Sequence, residues 1–201
     1  MRGRWRIPDS LDGVVVGVII VVVWELGVRI GGVPNYLLPP PLAIAERMIN
    51  DAGSILYHTV ATTLEVVIGF ALAIVVSIPL AAALAQMRVI ERMLYPVLVA
   101  SQTIPKVAIA PILIVWLGFG LLPKIAIVFL ISFFPIVVST VVGLKSVESD
   151  MIGLVRSMGA GTAKIMLRVR GPSALPQLFA GLKIAICLAV VGAIVGEFVG
   201  S

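Results

Sequence analysis

This chain of 201 residues is composed for a lipid solvent, and the expected architecture is all-α, a polytopic bundle of membrane-crossing helices. Three observations carry that expectation. Hydrophobic residues make up 60% and charged residues only 12%, and the mean hydropathy is +1.17. Uncharged runs reach the roughly 20 residues that one crossing of a hydrocarbon layer about 30 Å thick requires. These runs exceed the roughly 9 to 11 residues of a tilted membrane strand and lack strict alternation, which argues against a closed barrel. A single transmembrane domain over residues 1–201, with five visible spans and short connections, accommodates the length.

The first span is read over 13–30, where Gly13 to Ile30 is interrupted only by Glu25 and Arg29. No small-x-small cleavage site follows, so it is an uncleaved span and not a signal peptide. Residues 31–61 form a mixed loop: Pro34, Pro39, Pro40 and Pro41 prevent early helix, and Leu42 to Asp51 can form a short surface helix. Val66 to Met87 carries no charge, and the second span is placed over 62–86. A third, over 94–117, is expected to kink near Pro105. It contains Lys106 and the polar run Ser101, Gln102, Thr103. Gly118-Phe119-Gly120 breaks the pattern, the fourth span follows over 124–144, and the fifth lies over 177–199. Gly192, Gly196 and Gly200 line one strip of that last span, where another helix, of this chain or a second copy, can approach closely.

The basic residues test this path, because positive charge in short loops stays on the cytoplasmic side. With the amino terminus inside, Arg2, Arg4, Arg6, Arg88, Arg92, Lys145, Arg156, Lys164, Arg168, Arg170 and Lys183 are internal. Only Arg29, Arg47 and Lys124 are external, and Lys106 stays within the membrane. This pattern places the polar loop 145–176 in the cytoplasm and explains the net charge of +5 without nucleic acid. One cysteine, Cys187, and one histidine, His58, allow neither a disulfide within the chain nor a Cys/His zinc cluster.

Within that loop Val147, Met151, Leu154, Val155 and Met158 form one apolar stripe on a short helix, with Ile152 off it. Gly159-Ala160-Gly161 permits a sharp turn, and Thr162 can cap a second short helix in which Lys164 and Arg168 share a face. Gly171-Pro172 is expected to end it. Two such helices can dock into a groove on a soluble protein, and the plainer alternative is an amphipathic loop resting on the membrane surface. Gly159 to Lys164 is not a phosphate loop, since it lacks the Gly-Lys-Ser/Thr ending and follows no strand.

The segment Gly153-Leu154-Val155-Arg156-Ser157-Met158-Gly159, followed by nine residues and then Val169-Arg170-Gly171-Pro172, resembles the EAA loop of ABC-importer permeases. Gly159 and Pro172 match that pattern outright and Val169 conservatively, while Gly153, Leu154 and Val155 replace its Glu-Ala-Ala and Gly171 its Leu. Val155 to Gly159 is close to a phrase common in the nitrate, sulfonate and taurine branch, and so are Leu38 to Pro41, Ile104 to Pro111, Trp116 to Gly120 and Gly196-Glu197-Phe198. The resemblance implies a type I ABC importer permease fold, with a sixth span missing from the carboxyl-terminal end. It implies a homodimer in the bacterial plasma (inner) membrane that is no enzyme and binds no cofactor of its own, ATP and magnesium residing on the partner. The implied partners are cytoplasmic ABC ATPase subunits, an extracytoplasmic solute-binding protein, a second copy of the chain and the lipid bilayer. The ATPase-coupling residues it points to are Leu154, Val155, Arg156, Ser157, Gly159, Ala160, Lys164, Val169 and Pro172.

Lys106 is an expensive charge at membrane depth, which points to a solute pathway lined by Ser101, Gln102, Thr103 and Lys106. The alternatives are that Lys106 snorkels to an interface or pairs with Glu65 or Glu197, and that the polar run merely satisfies freed carbonyls. A small anion such as a sulfonate, taurine or nitrate is the expected solute. The alternative is a vitamin precursor, a thiamine pyrimidine or riboflavin. An ion-coupled secondary transporter would need several ionisable residues inside its spans, and a membrane enzyme would need clustered carboxylates there; the sequence supplies neither.

Overall fold

A computed structural model describes residues 9–200, so Arg2, Arg4 and Arg6 of the charge argument lie outside the described residues. The chain divides into two compact units, Met1–Thr59 and Val60–Ser201. Every regular element among the described residues is helical.

In the first unit α1 (Asp9–Ile30) is followed by the short α2 (Pro41–Asn50). Prolines before α2 leave its amino-terminal end without a cap from its own loop: Pro40 is the N-cap and no side chain there bonds the exposed N–H groups. Glu25 of α1 takes that role, accepting the Leu42 N–H at 3.0 Å while it pairs with Arg29. Of the two charges that interrupt the first apolar run, Glu25 therefore anchors α2 and Arg29 pairs with Glu25.

α3 (Ala52–Gln86) has 35 residues and begins ten residues ahead of the span expected over 62–86. At 1.5 Å per residue it is about 52 Å long, more than the hydrocarbon layer needs. Nothing between Ala52 and Thr62 breaks a helix, so the polar residues there start it without ending it.

In the second unit α6 (Leu121–Lys145) is the hub. Val128 packs with Val66 of α3 and with Ala189 and Ala193 of α9 (Gly171–Gly200). Ile136 packs with Ala73 and Ala185, and Val137 and Val141 with Ala81, Leu84 and the flank of α4 (Arg88–Gln102). Ile127 and Ile131 pack with Ala110 of α5 (Ala110–Leu117). Small residues permit these approaches: a Cβ on Gly181 would lie 2.5 Å from that of Ser139, and one on Gly69 would lie 2.6 Å from Val128. The strip Gly192, Gly196, Gly200 faces Val128, Ile131, Lys124 and Ile114, so it is an interface within the chain.

The region expected as one kinked span is two helices. α4 and the segment Lys106–Leu117 meet at 90°, and they count as one crossing only if the bent pair is a broken span. Pro105 and Pro111 lack N–H donors, and a 3-10 turn at Lys106–Ile109 leads into α5. Four helices are otherwise long and apolar enough to cross a membrane.

Candidate functional site

The polar loop builds its corner from Gly159. α7 (Ser149–Ser157) ends as the Gly159 N–H bonds the Arg156 carbonyl at 3.0 Å and the Ala160 N–H reaches back to Val155 at 3.2 Å. This pair of bonds is a Schellman closure, and it needs a left-handed residue at Gly159, whose φ is +83°. Nothing lies within 4 Å of a Cβ built there, so backbone conformation and not space selects glycine.

The predicted stripe divides in two. Met151, Leu154 and Met158 are 53%, 63% and 79% exposed and form an uncovered apolar face, whereas Val155 turns half inward. Ile152, assigned off the stripe, is also half-buried and lines a cavity beneath the helix. Arg156, Ser157 and Lys164 are exposed and Ala160 half-buried. The Ser157 hydroxyl donates to the Leu154 carbonyl at 2.7 Å.

Two local expectations are corrected. Gly161, not Thr162, is the N-cap of α8 (Thr162–Ile165), with no side-chain cap bond. The helix also does not end at Gly171-Pro172: a π turn at Met166–Arg170 carries α8 into α9, making Thr162–Gly200 continuous. The wider π turn absorbs the missing proline N–H and the ring's bulk, and Gly171, whose Cβ would sit 3.1 Å from the Met166 carbonyl, allows the backbone to close. Val169 is half-buried and Pro172 exposed along this rod.

The cavity under α7, about 380 Å³, brings Arg156 and Arg170 together with Lys145 and Glu91. Lys145 and Glu91 form an ion pair. Arg170 Nη1 donates to the Ala85 carbonyl at the end of α3 at 3.0 Å, and its Nε is buried without a partner among the described residues.

The residues expected around a pathway each make contacts within the chain or are exposed. The Ser101 and Thr103 hydroxyls donate to the carbonyls of Leu98 and Ala100, both at 2.7 Å, which is the local role that freed carbonyls in a broken helix invite. Gln102 is exposed. Lys106 is half-buried with its Nζ 4.9 Å from the centre of the Phe134 ring, a cation–π contact. The carboxylates offered as its partners are engaged elsewhere. Glu65 lies 3.3 Å from Lys124, and Glu197 accepts from the Thr62 hydroxyl. Sequence reasoning missed Lys124 in this cluster, because no local spacing links it to Glu65.

Comparison with known proteins completes the site. Residues 73–201 match the family described as binding-protein-dependent transport system inner membrane component. The chain is 41% identical over 197 residues to the formylaminopyrimidine transport permease protein ThiX of Halalkalibacterium halodurans, covering 98% of this chain and 78% of that protein. It is 40% identical over 183 residues to the riboflavin transport system permease protein RibX of Chloroflexus aurantiacus, covering 90% and 68%. It is 27% identical over 195 residues to the taurine transport system permease protein TauC of Escherichia coli, covering 92% and 71%.

Proposed function

The chain belongs to the family of binding-protein-dependent transport inner-membrane components, an ABC importer permease and not an enzyme, and from that premise we propose how its parts divide the work. The face formed by Met151, Leu154 and Met158, set by the Gly159 corner, seats in a cytoplasmic ATPase subunit. The observation that carries this reading is that corner: it presents three large apolar side chains that the chain itself leaves uncovered. Movement there passes along the continuous rod from Thr162 to Gly200 into the bundle. A second copy completes the pathway, an external binding protein delivers the solute, and the amino terminus is cytoplasmic.

For the solute, two relatives of about 40% identity are named for a pyrimidine and a flavin, while the taurine permease stands at 27%. This favours a heteroaromatic vitamin precursor, a thiamine pyrimidine or riboflavin, over the small anion that the motifs first suggested. Lys106 on Phe134 supplies a cation and an aromatic face at the broken span, suited to a polar planar ring.

A cysteine placed at Leu154 in a Cys187→Ala background tests the docking. It should cross-link to the co-expressed ATPase, and Leu154→Asp should abolish co-purification; cross-linking to an externally added, membrane-impermeant probe on intact cells would overturn the reading. For the pathway, Lys106→Met should lower uptake and substrate-stimulated ATP hydrolysis together, and unchanged rates would remove Lys106 from it.

A further inference from the structure

The cavity beneath α7 holds more positive charge than the fold itself uses. Lys145, Arg156 and Arg170 face it against one acid, Glu91, which neutralises Lys145. Arg170 is the anomaly. Its guanidinium carries five N–H donors, yet it has one neutral acceptor, the Ala85 carbonyl, and no carboxylate within ion-pair distance among the described residues. Its buried Nε has no hydrogen-bond partner among the described residues. A half-buried cation so poorly compensated is costly unless an anion joins it. The side chain is delivered here by the π turn at Met166–Arg170, a local distortion of the kind that concentrates at functional sites.

The place of the cavity selects the anion. α3 ends at Gln86, α6 ends at Lys145 and the rod Thr162–Gly200 begins at Thr162, and all three of these residues line the cavity; the ends of membrane-length helices are where lipid headgroups lie. Its wall is amphiphilic: Ile152, Ile165 and Met166 lie beside the cations. A free phosphate has no use for that apolar side, whereas a phospholipid presents phosphate and glycerol together, and basic pockets between helix ends on the cytoplasmic side are where such headgroups bind.

We infer that this cavity is a binding site for a phosphate-bearing anion, filled by the headgroup of an anionic phospholipid that bridges Arg156 and Arg170. The lipid would complete the counter-charge at the root of the α7–α8 loop and so hold the loop against the ends of α3 and α6. The inference goes beyond the transport assignment and does not rest on the ATPase docking, since lipid retention is read on the purified chain alone.

The experiment is native mass spectrometry of the full chain released from micelles doped with dioleoyl phosphatidylglycerol or dioleoyl phosphatidylcholine. The chain should retain phosphatidylglycerol selectively, and millimolar inorganic phosphate or glycerol 3-phosphate should not displace it. Arg156→Gln should weaken retention roughly fivefold and Arg156→Gln/Arg170→Gln roughly 25-fold. Arg156 is exposed and makes no side-chain hydrogen bond among the described residues, so its variant tests the site even if the double variant does not fold. Glu91→Gln should strengthen retention several-fold, which a merely structural role would not produce. Lys164→Gln, in the same loop but outside the cavity, should leave phosphatidylglycerol retention unchanged. Equal retention in Arg156→Gln and in the unaltered chain, no gain with Glu91→Gln, or displacement by inorganic phosphate would each overturn the lipid assignment.

Discussion

Lys124→Met tests whether the three long helices of the second unit are pinned by charge. Lys124 Nζ lies 3.3 Å from Glu65, with side chains only 17% and 4% exposed. At an effective dielectric of about 20 the attraction is roughly 5 kcal/mol, but removing both ions from water cancels much of it, so the net worth of the pair is small. The loss of one partner is another matter. Glu65 Oε2 already lacks a hydrogen bond among the described residues, and Glu197 approaches the same end of α3 through Thr62, one helical turn ahead of Glu65. Methionine keeps the aliphatic stem that lies over Gly196 and Gly200 but leaves two carboxylates with no cation. The cost should be about 3 to 5 kcal/mol, which at about 2 to 4 °C per kcal/mol lowers the midpoint by roughly 10 °C. The assay is the fraction of chain remaining monodisperse on size exclusion after stepwise heating in detergent. Glu65→Gln/Lys124→Met should regain most of the loss, because the polar cost falls once no buried charge is stranded. A midpoint within about 2 °C of the unaltered chain for Lys124→Met, or a double variant as unstable as the single one, would refute the reasoning.

Three further outcomes follow from the geometry. Gly159→Ala should cost about 1 kcal/mol through its φ of +83° alone and lower ATPase co-purification, whereas Gly161→Ala, with φ −72° and open space, should do neither. Gly181→Ala should destabilise by about 1 to 3 kcal/mol, its Cβ being forced to 2.5 Å from Ser139, while Gly192→Ala at 3.3 Å from Ile131 should cost less in the same heating assay. Ser101→Ala/Thr103→Ala should leave uptake within about twofold, because both hydroxyls are spent on their own helix.

Much of this was legible in the sequence for plain physical reasons. Long uncharged runs can only be helices in lipid, so α1, α3, α6 and α9 were visible from hydropathy, and the glycine at 159 marked a corner because no other residue accepts a positive φ cheaply. What failed did so where tertiary geometry overrides local signals. Pro172 reads as a stop, yet a π turn upstream makes room for it. The Met151–Met158 pattern could not say which half of the stripe faces outward, because that depends on the distant ends of α3, α4 and α6, which line the same cavity as Ile152. Glu65 found Lys124 and not Lys106 because α3 and α6 meet at Gly69 and Val128, a contact between distant segments that no spacing rule encodes.

The continuity that sequence reasoning missed also bears on transmission. If α8 ended at Pro172, a displacement at Gly159 would be absorbed in a flexible joint before it reached the bundle. The observed rod from Thr162 to Gly200 is instead held to α6 by lanes of small residues, so the same displacement must tilt α9 and α6 together. Softening the rod without removing a contact separates these cases. Leu167 is 76% exposed and Arg168 is exposed, and neither packs in the core. Leu167→Gly/Arg168→Gly should weaken the helix by about 1 kcal/mol per glycine, leaving ATPase binding intact while uptake per ATP hydrolysed falls several-fold in proteoliposomes. Leu167→Ala/Arg168→Ala, which removes the same side chains but keeps the helix stiff, should transport as the unaltered chain does. Equal coupling ratios in the glycine and alanine variants would mean that the loop communicates with the membrane by a route other than this rod.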